Sequence, residues 1–361
     1  MWARALKGRF ERARRPATHD GTVTPLETLF AIWLFAIGLS IGSFLNVVIA
    51  RLPKDESLVR PRSHCPKCGH QLTWYENIPV VSWLMLRGRC SSCRASISPR
   101  YLVVELLTGV LFVACLSRFG WTWYLAIALT FVTVLLPLVF LDAEHWILPL
   151  ELSVGGLVAV LLLRVPLGEA AVLTGLWGAL VAFLVFRAME FLGWLVAGRE
   201  ALGDGDKYLL ALVGATLGWR SVLGVILLSS AQGSVYGLVH RAITGRAGPP
   251  IREAASGAPQ PEAVETPPRR EPWTPAFMRP GLALWRRTLL VPYAVFFQPI
   301  PDPPPPDESG EEPEWIPGAS NMPFGPWIGL GGLEVLLLGH LITQALEGTG
   351  LGLSAELLFG R

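Results

Sequence analysis

Apolar runs of roughly 20 residues recur along the whole chain, and each is about as long as a helix must be to cross some 30 Å of hydrocarbon. They lie near residues 28–50, 101–118, 122–141, 147–164, 170–196, 207–218, 221–240 and 324–345. Inside a bilayer no water is available to satisfy backbone N–H and C=O groups, so such runs fold as helices. The sequence therefore predicts an all-α polytopic membrane protein with about eight transmembrane helices. The sixth run is the weakest of these, because it is short and contains glycine. With 361 residues the chain could hold two soluble domains, but 52% hydrophobic and only 16% charged residues exclude that class.

Formal net charge is only +2, which gives no electrostatic basis for binding nucleic acid. The basic residues instead report topology. The loop at 51–100 carries Arg51, Lys54, Arg60, Arg62, Lys67, Arg87, Arg89, Arg94 and Arg100, against Arg118 alone in the next loop. The positive-inside rule puts this loop in the cytoplasm. Alternation then brings the turns at 142–146 and 198–206 to the same side, with Arg164 and Arg220 opposite. A basic extension, 1–27, precedes the first span; it would also prefer the cytoplasm, and the larger cluster decides. Its following apolar run is too long for a signal-peptide core. A core at 101–245 is followed by an insert at 246–321, rich in proline and mixed charge, which reads as largely disordered. Within it, 284–299 combines Arg286 and Arg287 with apolar residues in the manner of an interfacial segment. The last span and C-terminus occupy 322–361.

Two features carry chemistry. The first is a pair of CxxC knuckles, Cys65/Cys68 and Cys90/Cys93, within the 51–100 loop. Four thiolates at that spacing close tetrahedrally around one zinc and leave no open coordination position, so the metal would be structural. Reduced thiols or disulfides are the other readings of the same residues. His64 and His70 flank the first knuckle and could substitute as ligands, but four cysteines already fill the shell, so they read as surface histidines; Cys115 stands alone in an apolar run.

The second is a set of acids at the ends of apolar runs. Asp142, with Glu144 and His145 beside it, closes the third run; ionisable groups at that depth are costly and mark function by default. Read alone, Asp142 also fits a polar turn at the interface. In LGDGDKYLL at 202–210, Gly203 and Gly205 permit a tight backbone around Asp204 and Asp206, with Lys207 beside them. A helix cap followed by a snorkelling lysine fits that segment too. Taken together, Asp142 and Asp206 fall on one predicted side, two spans apart. Two converging carboxyls that share one proton can polarise a carbonyl and activate water, which is peptide hydrolysis without metal or nucleophile. The chain has no HExxH or Walker loop. A transporter would need acids continuing toward the other face, and a scaffold built on the cysteine loop would leave the aspartates without a task.

Several segments resemble the type IV prepilin peptidases, in the family's order: GSFLNVVIARLP at 42–53, ENIPVVSWLMLRGRC at 76–90, RYLVVELLTG at 100–109, the Asp142 and Asp206 segments, and MPFGPWIGLG at 322–331. The resemblance covers the chain except for the N-terminal extension and the insert. It implies an enzyme of the bacterial inner membrane whose active side faces the cytoplasm. Such an enzyme cleaves after the glycine that ends the leader of a prepilin or pseudopilin, then methylates the new amino terminus from S-adenosylmethionine. It also implies that Asp142 and Asp206 are the catalytic pair, supported by Gly203, Gly205, Lys207 and Glu144, and that Cys65, Cys68, Cys90 and Cys93 hold metal. Glu105, in VELLTG, reads as a buried polar contact. Where the family has a lysine two places after the second aspartate, this chain has Tyr208.

Overall fold

A computed structural model describes residues 24–197, 203–245 and 322–347. Most of the basic extension, the 246–321 insert with its 284–299 segment, and residues 348–361 lie outside the described residues. No strand occurs among the described residues; the fold is helical, as expected.

The first helix, α1 (Pro25–Arg51), starts in TPLE, where Thr24 caps the backbone N–H of Glu27 and the Glu27 carboxylate reaches back to the Thr24 N–H at 3.0 Å. This reciprocal pair satisfies two orphan donors, and Pro25 occupies the position where a missing N–H costs nothing. There follow α2 (Arg100–Phe119), α3 (Trp123–His145), α4 (Leu150–Arg164), α5 (Glu169–Ala197), α6 (Asp206–Leu217), α7 (Trp219–Thr244) and α8 (Gly325–Glu347). Seven helices among the described residues are long and apolar enough to cross a membrane. The chain is thus a multi-pass membrane protein.

The expected sixth span departs from this pattern. α6 has only 12 residues, about 18 Å of helix, and is too short to cross. From Leu209 to Thr216 it is buried throughout. It is an internal helix enclosed by its neighbours, apolar on all sides because all sides are covered. Arg164, at the end of α4, donates to Thr216 O at 2.7 Å and to Ala171 O at 3.0 Å. A cation thereby meets the carbonyl end of α6, where the helix dipole is negative.

Helices in lipid gain little from hydrophobic burial against one another, so close backbone approach supplies the contact. α1 and α2 meet through Gly38 and Gly42: a Cβ at either would stand 2.7 Å from a Cα of the facing helix, Gly109 and Glu105 respectively. α3 occupies the centre, with Phe131, Leu135, Leu136, Leu138 and Leu141 fully buried. α8 is tied to α7 within the apolar layer by Gln232 Nε2 donating to Glu334 Oε2 at 2.6 Å and by the Ser229 hydroxyl at 2.9 Å from Trp327 O. These ties fix where α8 begins, which matters for the site below.

Candidate functional site

α3 ends in a defined way. Trp146 adopts φ 60° and ψ 32°, and its N–H closes on Asp142 O at 3.0 Å, so the helix stops one turn beyond Asp142. Pro149 then caps α4. This turn runs beside the start of α6, where the GDGD segment comes so near that a Cβ on Gly205 would lie 2.6 Å from Leu148 Cβ. Only glycine permits that approach. A Cβ on Gly203 would lie 3.0 Å from Asp206 Oδ2, so Gly203 forms the floor under that carboxyl.

Asp142 and Asp206 are therefore brought together. Both are buried, at 6% and 3% exposure, and each lies within electrostatic reach of the other. Asp142 Oδ2 and Asp206 Oδ1 are fully enclosed and make no hydrogen bond of ordinary geometry among the described residues, although the Gly325 N–H lies near the Asp142 carboxyl and the Gly203 N–H near that of Asp206. A buried carboxylate oxygen without a full partner costs a few kcal/mol, so two such acids near one another are kept at a cost to folding. Asp206 is the first residue of α6, where the helix dipole favours negative charge. A second helix start faces Asp142: a Cβ on Gly325, the first residue of α8, would lie 2.6 Å from Asp142 Oδ2.

The other residues singled out from sequence go elsewhere. Glu144 pairs with Arg100 Nη1 at 2.5 Å, joining the end of α3 to the start of α2. Lys207 is buried and its ammonium pairs with Asp204, outside the pair of acids. His145 is the last residue of α3. Sequence reading missed Gly325, although its segment MPFGPW had been singled out, and missed Glu190. The latter is a buried acid of α5 that acts electrostatically on Asp206 and is itself paired with Arg187 at 2.9 Å.

The cysteine loop forms a second centre. Its two knuckles share one hydrogen-bond frame. Cys65 N–H donates to His70 O and Gly69 N–H to Cys65 O, while Cys90 N–H donates to Ala95 O and Arg94 N–H to Cys90 O. Gly69 and Arg94 both take positive φ, 70° and 59°. The four Sγ atoms lie within 4.8 Å of one another, and Cys65–Cys93 and Cys68–Cys90 are each 3.9 Å apart. Sulfurs on a tetrahedral zinc at 2.3 Å stand about 3.8 Å apart, so the group fits a metal and is far too open for disulfides. N–H groups of Lys67 and Cys68 point at the Cys65 sulfur and bring its thiol down to about 7, and those of Cys93 and Ser92 lower Cys90 likewise. Thiolate, the form a metal takes, is thus favoured at Cys65 and Cys90, whereas Cys68, despite the His70 N–H that lowers it, is pushed up to about 11 by its contact with the Cys93 thiol.

Glu76 braces the two knuckles. Its carboxylate accepts from the Ser91 hydroxyl, from Thr73 N–H at 2.8 Å and Thr73 Oγ1 at 2.7 Å, and lies 3.2 Å from His70 Nε2. Glu105, on α2, accepts from Val80 N–H at 2.7 Å and from the Ser43 hydroxyl. Val80 has φ 63°, a costly conformation for a β-branched residue, so Glu105 holds a strained turn of the loop onto the helix pair.

Comparison with known proteins agrees with this division. Residues 36–119 match the family model described as the bacterial peptidase A24 N-terminal domain, and residues 129–238 match that of the type IV leader peptidase family. A protein of Myxococcus xanthus named prepilin leader peptidase/N-methyltransferase is 54% identical over 329 residues, covering 91% of this chain and 96% of the relative. Relatives of the same name from Pseudomonas aeruginosa and Neisseria gonorrhoeae are 37% and 35% identical, over 64% and 60% of this chain and 85% of each relative. No solved structure matches the chain.

Proposed function

Since the chain belongs to the type IV leader peptidase family, we propose that it removes the leader peptide of a type IV prepilin or pseudopilin at the cytoplasmic face of the inner membrane and N-methylates the new terminus. Asp142 and Asp206 are the catalytic residues in this reading. The observation that carries it is the convergence of these two buried carboxyls, each with an oxygen that makes no hydrogen bond of ordinary geometry, where α3 ends and α6 begins.

The chemistry follows from one proton held between two acids. The protonated carboxyl donates a hydrogen bond to the scissile carbonyl, and the ionised one takes a proton from water as the oxygen attacks carbon. Collapse of the tetrahedral intermediate returns a proton to the leaving amine. Gly203 and Gly205 let the α6 loop lie close against the α3–α4 turn; Lys207 and Glu144 act at one remove, by neutralising Asp204 and Arg100. The 51–100 segment is a zinc-binding domain, whose four thiolates would hold Zn²⁺ as a structural ion. S-adenosylmethionine supplies the methyl group.

Purified protein in liposomes, given a prepilin and S-adenosylmethionine, is expected to release the leader and add one methyl group, both read by mass spectrometry. Asp142→Ala or Asp206→Ala is expected to abolish leader release. Cleavage at the wild-type rate by either variant would remove the basis of the reading.

A further inference from the structure

The link between α3 and α4 spans only residues 146–149, and both of its ends are fixed. Trp146 stops α3 in a left-handed turn, and Pro149 caps α4, its carbonyl accepting from Ser153 N–H at 3.2 Å. A residue that precedes proline is confined to extended backbone, where neighbouring side chains point to opposite sides. Ile147 accordingly faces out, 44% exposed, while Leu148 packs against the core.

Leu148 stands between the starts of two other helices. Its Cδ1 lies 3.3 Å from where a Cβ on Gly205 would be, and 3.3 Å from where one on Gly325 would be. The second of those points is itself 2.6 Å from Asp142 Oδ2. The leucine thus closes the gap between α6 and α8 beside the acids. Resting on the reading of the aspartate pair as a leader peptidase, we propose that Leu148 is a specificity-determining residue, which restricts the substrate residue on the carbonyl side of the cleaved bond to glycine.

The reacting carbonyl has to come within hydrogen-bond reach of the acids. On its acyl side the first side-chain atom is joined to the carbonyl carbon through Cα alone, whereas on the amine side the nitrogen intervenes as well. A wall beside the acids therefore meets the acyl-side Cβ first. Most of that wall cannot retreat. At Gly203, Gly205 and Gly325 the enzyme already lacks a Cβ of its own, and there is no side chain to withdraw. The polar neighbours are turned away, Glu144 to Arg100 and Lys207 to Asp204. The room left beside the acids is thus set by the leucine, held by a link too short and too constrained to swing aside. One carbon too many in a close-fitting pocket costs roughly 10- to 200-fold in kcat/KM. Resemblance to the prepilin peptidases implies cleavage after glycine, and Leu148 is the side chain that enforces it.

The test uses the full-length protein in liposomes and two prepilins that differ only in the residue before the cleaved bond, glycine or alanine. The readout is the ratio of their kcat/KM values for leader release, in which a general loss of activity cancels. Wild type should favour glycine by roughly tenfold or more. Leu148→Ala should bring that ratio down roughly tenfold, and Leu148→Val, which removes less, should fall between. Ile147→Ala, on the outward side of the same link, should keep the wild-type ratio. A Leu148→Ala enzyme that discriminates as wild type does would overturn the assignment and leave the peptidase reading standing. So would a wild type that cleaves both substrates equally, or an Ile147→Ala variant that loses discrimination to the same extent. If Leu148→Ala cleaves neither prepilin, the ratio for Leu148→Val decides on the same terms. Failure of inserted wild type to cleave even the glycine substrate would instead remove the peptidase reading, and this assignment with it.

Discussion

Replacing Gly325 by alanine isolates the contact between α8 and Asp142. An alanine Cβ would stand 2.6 Å from Asp142 Oδ2, 3.1 Å from its Cγ and 3.3 Å from Leu148 Cδ1. Ordinary contact begins near 3.4 Å, so the carboxyl must retreat by about 0.8 Å or the start of α8 must move. A misplacement of about 1 Å in a reacting group costs roughly 100-fold in rate. We therefore expect kcat for leader removal to fall roughly 10- to 100-fold, about 1.4 to 2.7 kcal/mol in the barrier, with KM little changed because the substrate's remote contacts persist. Alanine at the first position of a helix does not by itself destabilise it, so thermal stability and membrane insertion should stay near wild type. Gly155→Ala on α4 is the control, since a Cβ there meets nothing within 4 Å. Initial rates on a purified prepilin in liposomes provide the assay. A Gly325→Ala enzyme with wild-type kcat would refute the placement of α8 against Asp142.

Two more outcomes follow from the cysteine loop. Cys68→Ser leaves three thiolates, and the purified protein should lose its bound zinc to a chelator that wild type resists, as read by elemental analysis; wild type free of metal after careful preparation would contradict the four-thiolate site. Glu76 is held down to about 2, first by the Ser91 hydroxyl and then by Thr73. Its unfolded value lies near 4.3, so its stabilisation is complete above that pH and disappears as pH falls toward 2. Protease resistance of the loop should thus decline across that window more steeply in wild type than in Glu76→Gln. Metal loss is common to both proteins and cancels; identical profiles would show that the carboxylate does not brace the knuckles.

Much of the fold was legible because lipid imposes one rule on every crossing segment. The run read at 170–196 is α5, Glu169–Ala197, and the run at 28–50 is α1, whose start three residues earlier was written in the capping box TPLE. α6 was read as a span because hydropathy reports that a helix avoids water and is silent on whether lipid or protein surrounds it. The aspartates stood out as charges where charge is expensive. Glu144 was grouped with Asp142 by proximity in sequence, yet two residues apart on a helix is about 200° of rotation, and Glu144 turns instead to Arg100. That separation was calculable in advance. Gly325 was harder: it acts through a backbone position 183 residues beyond Asp142 and bears no side chain for composition or periodicity to register.

The account rests on Asp142 and Asp206 acting as one unit. A double-mutant cycle on kcat for leader removal, with Asp142→Asn, Asp206→Asn and the two combined, tests this directly. If the pair shares a single catalytic task, the combined variant should be no slower than the worse single variant, because either change already removes the whole function of the pair. Losses that multiply, with each single variant keeping part of the rate, would mean that the two carboxyls work independently and would contradict the dyad.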